Sequence, residues 1–201
     1  MIIRREEEKD YFENETLIRE AFYNIYRPGC IEHYVLHKLR NDKCFMPLLD
    51  YVIEEDGKII ASIVYAIGKL TYDDNTNKNI LTFGPVNVHP KYQKKGYAEK
   101  LINYTMDKAK SLGYNEIIIS GNEEYYKKYG FVKASLYNIY YKGYEEDDSF
   151  LLIRIFDESK FENEHALYSD PECYMVNEEE ANEYDKSFPY KEKIQNDNQL
   201  F

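Results

Sequence analysis

Apolar residues recur along the chain with two periods, and the change of period marks the elements. After an N-terminal strand, residues 13–26 place Leu17, Ile18, Ala21, Phe22 and Ile25 on one helical face. Pro28-Gly29 then breaks the chain. Residues 31–40 (IEHYVLHKLR) repeat the helical spacing over a shorter span. Residues 48–70 read as a hairpin, with LLDYVIEE and KIIASIVYAIGKL flanking Asp56-Gly57, a dipeptide suited to a tight turn with positive φ. Residues 71–79 are polar and rich in Asn and Asp, which predicts a loop. Residues 80–88 (ILTFGPVNV) predict a strand interrupted at Gly84-Pro85. Proline has no N–H to give to a ladder, so a bulge or a freed strand edge is expected there.

The second half begins with the clearest helix, residues 97–112. Ala98, Leu101, Ile102, Thr105, Ala109 and Leu112 form one stripe, and Gly113 is placed to end it. Residues 116–120 (EIIIS) predict a short buried strand, residues 122–129 a short helix ending at Gly130, and residues 131–141 and 149–156 two further strands. The strand–helix–strand unit across residues 80–120 implies a parallel pair in an otherwise hairpin-connected sheet.

A chain of 201 residues with 43% hydrophobic side chains can bury a core without disulfides or a structural metal. The net charge of −11 disfavours long nucleic acids and anionic membranes as partners. That charge is uneven: residues 1–142 carry 21 basic and 20 acidic side chains, and residues 143–201 carry 5 and 17. Cys30, Cys44 and Cys173 are odd in number and form no C-x-x-C, which suggests neither a disulfide framework nor a zinc ribbon. His33 and His37 share a helical face, but no third ligand is evident, so no metal is expected. The N-terminus has no apolar stretch after Arg4-Arg5, and no run approaches the ~20 apolar residues of a membrane span. The expectation is a soluble, cytoplasmic protein.

The stretch most suggestive of chemistry is Val86-Asn87-Val88-His89-Pro90-Lys91-Tyr92-Gln93-Lys94-Lys95-Gly96-Tyr97-Ala98. A strand ends, a basic loop follows, and a helix begins. The first N–H groups of a helix lack intrahelical partners and favour an anion, above all a phosphate. Lys91, Lys94, Lys95 and Lys100 oppose the helix dipole at its positive end, a cost that a bound polyanion would reverse. A solvated lysine-rich turn is the competing reading of the loop alone. The phosphate loop G-x-x-x-x-G-K-[ST] and the dinucleotide fingerprint G-x-G-x-x-G are both absent.

What the chain does hold is strand–(Q-x-x-G-x-A)–helix–strand, followed by Gly121-Asn122-Glu123-Glu124-Tyr125-Tyr126-Lys127-Lys128-Tyr129-Gly130-Phe131. These two blocks resemble the GCN5-related N-acetyltransferase (GNAT) family, in particular a bacterial branch with G-D-P-x-Y-Y-x-R-F-G-F at the second block. Gly84-Pro85-Val86-Asn87-Val88-His89-Pro90 and the helix residues Glu32, Val35, Leu36, Leu39 and Arg40 are weaker echoes of that branch. One departure is Ala98, where the family often has Gly.

The resemblance implies an α/β (α+β) fold: a mixed, mostly antiparallel sheet with a splayed parallel pair, flanked by helices. It implies one domain over residues 1–156, with residues 157–201 an acidic extension expected to pack on it. It implies acetyl-CoA as co-substrate and an amine acceptor, cationic if the acidic segment borders the site, in a monomer or homodimer. Pantetheine contacts carry over to Val86 and Val88, and pyrophosphate contacts to Gln93, Lys94, Lys95, Gly96, Tyr97 and Ala98. Asn122 is a candidate near the acyl arm, and Tyr126 matches the tyrosine that protonates the leaving sulfur. Core packing of Tyr126 beside Tyr125, Tyr129 and Phe131 is the alternative. The family's general base has no match here; no carboxylate lies in residues 80–88. A non-catalytic acyl-CoA-binding module, working through its acidic segment, is the rival to an enzyme.

Overall fold

A computed structural model describes residues 1–197 and residue 199; of the acidic extension, positions 198, 200 and 201 lie outside the described residues. The strands are β1 (Ile2–Arg5), β2 (Tyr51–Glu55), β3 (Lys58–Tyr72), β4 (Asn77–Val88), β5 (Glu116–Ser120), β6 (Val132–Lys133), β7 (Ile139–Tyr141), β8 (Leu151–Ile155) and β9 (Ala166–Ser169). The α-helices are α1 (Tyr11–Phe22), α2 (Glu32–Leu39), α3 (Tyr97–Ser111), α4 (Glu123–Tyr126) and α5 (Glu178–Asp185). Hydrogen bonding orders the strands β1-β2-β3-β4-β5-β8-β6, with β9 on β3 and β7 on β9. Most pairs are antiparallel; β4–β5 and β7–β9 are parallel. The mixed, mostly antiparallel α/β architecture is therefore the one expected. Among the described residues no helix is long and apolar enough to cross a membrane.

Local chemistry explains where elements outrun or fall short of the pattern. The hairpin turn is tight because Asp56 and Gly57 both take positive φ, 51° and 74°. The polar stretch expected as a loop, residues 71–79, shrinks to a turn, since Asn75 adopts φ 65° and lets β4 start at Asn77. Helix α1 ends at Phe22 rather than residue 26, because Tyr23 leaves helical geometry and Asn24 turns left-handed at φ 60°. The strand expected over residues 131–141 is two short ones. Ala134–Tyr137 forms a 3-10 turn closed by Asn138 at φ 55°, a polar residue that tolerates this region. Strand β9 was not foreseen in the extension; it pairs with the second half of β3, from Lys69↔Ser169 to Tyr72↔Ala166.

The chain divides into two compact units. The first comprises Met1–Val64, Pro85–Leu101 and the segment from Glu172 onward; the second comprises Tyr65–Gly84 and Ile102–Pro171. The second is built on a conventional apolar core of Leu70, Ile80, Ile118, Ile139, Leu151, Ile153, Ile155 and Tyr168, all nearly inaccessible. Within it the β4–β5 pairing is confined to Leu81↔Ile117, and residues 82–84 have no partner on β5, so the parallel pair is splayed.

The first unit adds a buried ionic system to its apolar contacts. The Arg40 side chain, 3% exposed, donates to Glu6 at 2.7 Å and to Glu15 at 2.5 Å. Glu15 also accepts from the Tyr184 hydroxyl at 2.6 Å. Asp50 lies buried nearby; burial, and then the Glu6 carboxylate, push its pKa well above the usual carboxylate range. Both effects favour its uncharged form, which would spare the single Arg40 guanidinium a third carboxylate. The acidic helix α5 is fastened by its own ion pair: Arg19 donates to Asp185 through Nε at 2.6 Å and Nη2 at 3.1 Å. The Tyr34 hydroxyl donates to Glu180 at 2.9 Å.

His33 is fully buried within this group. Its Nε2 lies 3.2 Å from Asp185 Oδ1 but is not aligned to donate, and Nε2 has no hydrogen-bond partner. Burial outweighs the attraction of Asp185 and lowers its pKa to about 4.

Two predictions follow for stability. Arg19→Ala leaves Asp185 without its cation and should cost about 3 kcal/mol in urea unfolding; a cost below about 1 kcal/mol would contradict the assigned role. Because the folded pKa of His33 lies below its unfolded value, the unfolded chain binds the extra proton. Stability supplied by neutral His33 is then complete above pH ~6.5 and declines as pH falls toward 4, by up to about 3 kcal/mol. The wild-type slope should exceed that of His33→Gln across this window; equal slopes would sink the assignment.

Candidate active site

Strand β4 leads into the basic loop. Val86 and Val88 are half-buried, while Asn87 between them is buried and donates to Ser62 Oγ at 2.5 Å. The Asn87 Oδ1 is buried with no hydrogen-bond partner, which leaves an acceptor for a ligand or water. This residue was missed in the sequence reading; an Asn inside an otherwise apolar strand is the signal that could have found it.

The loop is pinned at its start. The His89 N–H donates to the Ile60 carbonyl at 2.9 Å, and its Nδ1 accepts from the Lys91 N–H at 3.2 Å, capping a short 3-10 turn over Pro90–Tyr92. His89 is thus a turn residue. The Gln93 side chain donates back to the Val88 carbonyl at 3.2 Å, closing the loop on the end of β4.

Lys94 and Gly96 then take positive φ, 60° and 82°. These reversals aim the chain so that α3 begins abruptly. Its first intrahelical bond runs from the Lys100 N–H to the Gly96 carbonyl, 3.0 Å, which makes Gly96 the residue before the open helical turn. The positions around the helix start are open to solvent: Gln93, Lys94, Lys95 and Gly96 are exposed, and Tyr97 and Ala98 are half-buried. A Cβ on Gly96 would meet nothing within 4 Å, so the positive φ, rather than crowding, calls for glycine there.

Two tyrosines support the loop from below. The Tyr97 hydroxyl donates to Glu55 at 2.8 Å, and its ring meets Tyr92 edge-on at 6.1 Å. The Lys95 ammonium lies 5.2 Å over the Tyr92 ring and the Lys100 ammonium 5.4 Å over Tyr97, so both are held beside the helix start. The structure thus groups Gln93 through Ala98 with Val86 and Val88 in one compact unit.

Asn122 and Tyr126 belong to the other unit. Asn122 precedes α4, and its carbonyl accepts from the Tyr125 and Tyr126 N–H groups at 3.1 Å. Its side chain makes no capping bond and is exposed. The Tyr126 ring is half-buried in an aromatic nest, with Tyr125 at 4.9 Å, Phe131 at 5.8 Å and Phe83 at 6.0 Å between centroids. It also lies against the backbone of Gly121, where a Cβ would come within 2.7 Å of the ring. Gly130, at φ 79°, ends the helical segment over the Arg154 side chain, as the sequence predicts. Tyr129 is the more buried neighbour, and burial pushes its pKa to about 12. Tyr126 is therefore packed, but its partial exposure sets it apart from the core tyrosines.

Comparison with known proteins adds the following. Residues 49–133 match the family model of the acetyltransferase (GNAT) domain. The fold is similar to the GNAT family N-acetyltransferase YhbS from Escherichia coli, solved with CoA: TM-score 0.74, 20% identity, covering 86% of this chain and 91% of that one. A GNAT family acetyltransferase from Brucella melitensis, solved with acetyl-CoA, gives TM-score 0.68 at 20% identity, over 86% of this chain and 97% of that one. The ribosomal-protein-S18-alanine N-acetyltransferase of Escherichia coli gives 0.55 at 14% identity, over 78% and 94%. No curated protein matches the chain.

The Gly121 contact is directly testable. Gly121→Ala forces the Tyr126 ring to move and should destabilise the unit by about 1–3 kcal/mol, read as a fall in Tm. A Tm equal to wild type would show that the ring is not held there.

Proposed function

We propose, from the match of residues 49–133 to the acetyltransferase (GNAT) domain model, that the protein is an acetyl-CoA-dependent N-acetyltransferase acting on an amine by direct transfer. The observation that carries the reading is the helix start at Gly96. Two positive-φ residues turn an exposed, lysine-bearing loop into the open end of a 15-residue helix. That is the chemistry a pyrophosphate requires: backbone N–H donors, a positive dipole end and cations around them.

In this reading the pyrophosphate is held by residues 93–98, chiefly through backbone N–H groups, with Lys94 and Lys95 supplying charge. The backbone of Val86 and Val88 pairs with the pantetheine arm, and Asn122 contacts the acyl region. The amine must arrive uncharged. Its lone pair attacks the thioester carbonyl, a tetrahedral intermediate forms, the nitrogen gives up its extra proton to solvent water, and the C–S bond breaks to give the amide and the CoA thiolate. Tyr126 donates the proton that thiolate takes up. A phenol with an ordinary pKa near ~10 is protonated at neutral pH and can do this. Binding both substrates in one complex removes the entropy cost of their encounter.

The acidic segment supports a cationic acceptor in part. Glu178 and Glu179 are exposed on α5, whereas Asp185 and Glu180 are engaged with Arg19 and Tyr34. The reading places the protein in the cytoplasm, where acetyl-CoA is made and used, as a monomer or homodimer.

Isothermal titration with acetyl-CoA tests the cofactor assignment. Saturable binding is expected, reduced at least about tenfold in Gly96→Val, whose side chain disfavours the required φ; no binding at high micromolar ligand would overturn it. A thiol-release assay across an amine panel tests the enzyme. Tyr126→Phe should lower kcat by about 100-fold or more with little change in acetyl-CoA affinity. Full turnover by that variant would refute the acid role, and binding without thiol release for any amine would favour the binding-module alternative.

A further inference from the structure

The pairing of Cys44 with Cys173 is outside anything the reaction uses. Cys44 lies in the turn after α2, and Cys173 lies in the 3-10 turn Glu172–Tyr174, 129 positions later. Both belong to the first unit. Their sulfurs are 2.8 Å apart, closer than separate thiols rest, yet both are free cysteines. Cys44 is buried and Cys173 half-exposed, and the Cys44 N–H donates to the Asp42 carboxylate at 2.9 Å, which holds the turn in place. Cys30 is buried elsewhere, with its sulfur 3.4 Å from His33 Nδ1.

We propose that Cys44 and Cys173 are a reversible thiol–disulfide pair that locks the C-terminal segment onto the turn following α2. A disulfide bond is about 2.05 Å long, so closure requires the sulfurs to approach by less than about 1 Å. Asp42, Cys44 and Cys173 also come close enough together to suggest a metal site. The geometry argues against zinc: two thiolates at ~2.3 Å on a tetrahedral ion stand about 3.8 Å apart, and a closed structural site needs a fourth ligand. The observed separation is 2.8 Å, and the group holds three candidate ligands among the described residues.

The oxidant is a low-molecular-weight disulfide. The thiolate of the more exposed Cys173 attacks one of its sulfurs, the S–S bond breaks, and one small thiolate leaves. The Cys44 thiolate then attacks the mixed disulfide at Cys173 Sγ, forming the protein disulfide and expelling the second small thiolate. Two protein thiols are oxidised, one small disulfide is reduced to two thiols, and the two protons released end on those thiols. In the reduced state the segment is held by contacts such as Arg19–Asp185 and Tyr184–Glu15; in the oxidised state it is held covalently.

The full chain is incubated with oxidised glutathione or with dithiothreitol, denatured, and its thiols counted with a maleimide. Three are expected after reduction and one, Cys30, after oxidation, with Cys44 and Cys173 found in one linked peptide. Oxidation should raise Tm by about 5 °C or more, reversibly, because a cross-link spanning so long a loop restricts the unfolded chain. The rise should vanish in Cys44→Ser and in Cys173→Ser and persist in Cys30→Ser. If Cys44→Ser fails to fold, the half-exposed Cys173→Ser carries the comparison. Three thiols surviving oxidation, a stable glutathione adduct on Cys173 alone, or stoichiometric zinc lost in Cys173→Ser would each overturn the proposal. None of these outcomes depends on acetyl-CoA binding.

Discussion

Arg40 is the side chain on which the first unit depends. A guanidinium this deeply buried has given up nearly all its hydration, so its place is tenable only while Glu6 and Glu15 face it. Glu6 follows β1, Glu15 is on α1, and Arg40 closes α2, so one cation ties three segments together. The Tyr184 hydroxyl on Glu15 extends that linkage to α5, 169 residues away in the chain. Burial, and then the Glu6 carboxylate, raise the pKa of Asp50 and favour its uncharged form beside this cluster. Apolar packing supplies adhesion elsewhere, but these charges specify which segments meet.

The same logic assigns roles within the acidic third of the chain. Its excess charge is divided between fasteners and exposed surface. Asp185 neutralises Arg19, and Glu180 accepts from Tyr34, so both serve to attach α5. Glu178, Glu179 and Glu183 remain exposed. A net charge of −11 therefore coexists with a local cationic loop, and the proposed small polyanion meets the loop rather than the average.

Much of the fold was legible because the pattern is local. The Asp56-Gly57 hairpin, the stripe of α3, the buried strand β5 and the Gly130 stop all follow from side-chain periodicity and turn chemistry. The basic loop was legible too, since Gly96 ahead of an amphipathic helix marks an N-terminus without any tertiary information. Asn87 was passed over because what marks it out is a buried Oδ1 without a partner, a fact of three dimensions. Strand β9 was missed because four residues, ALYS, have no distinctive periodicity; the free second half of β3 makes them a strand.

By itself, then, the sequence determined the elements whose cause is within a turn or two: helix starts and stops, the hairpin, and the basic loop ahead of α3. Only the tertiary structure decided what the long-range contacts mean. Arg40 became an anchor rather than a motif echo, and Cys44 and Cys173, whose spacing suggested no disulfide framework, became neighbours. The physical reason is the same in both cases. Burial turns a charge or a thiol from a solvated surface group into one whose energy is set by whatever faces it, and what faces it comes from distant parts of the chain.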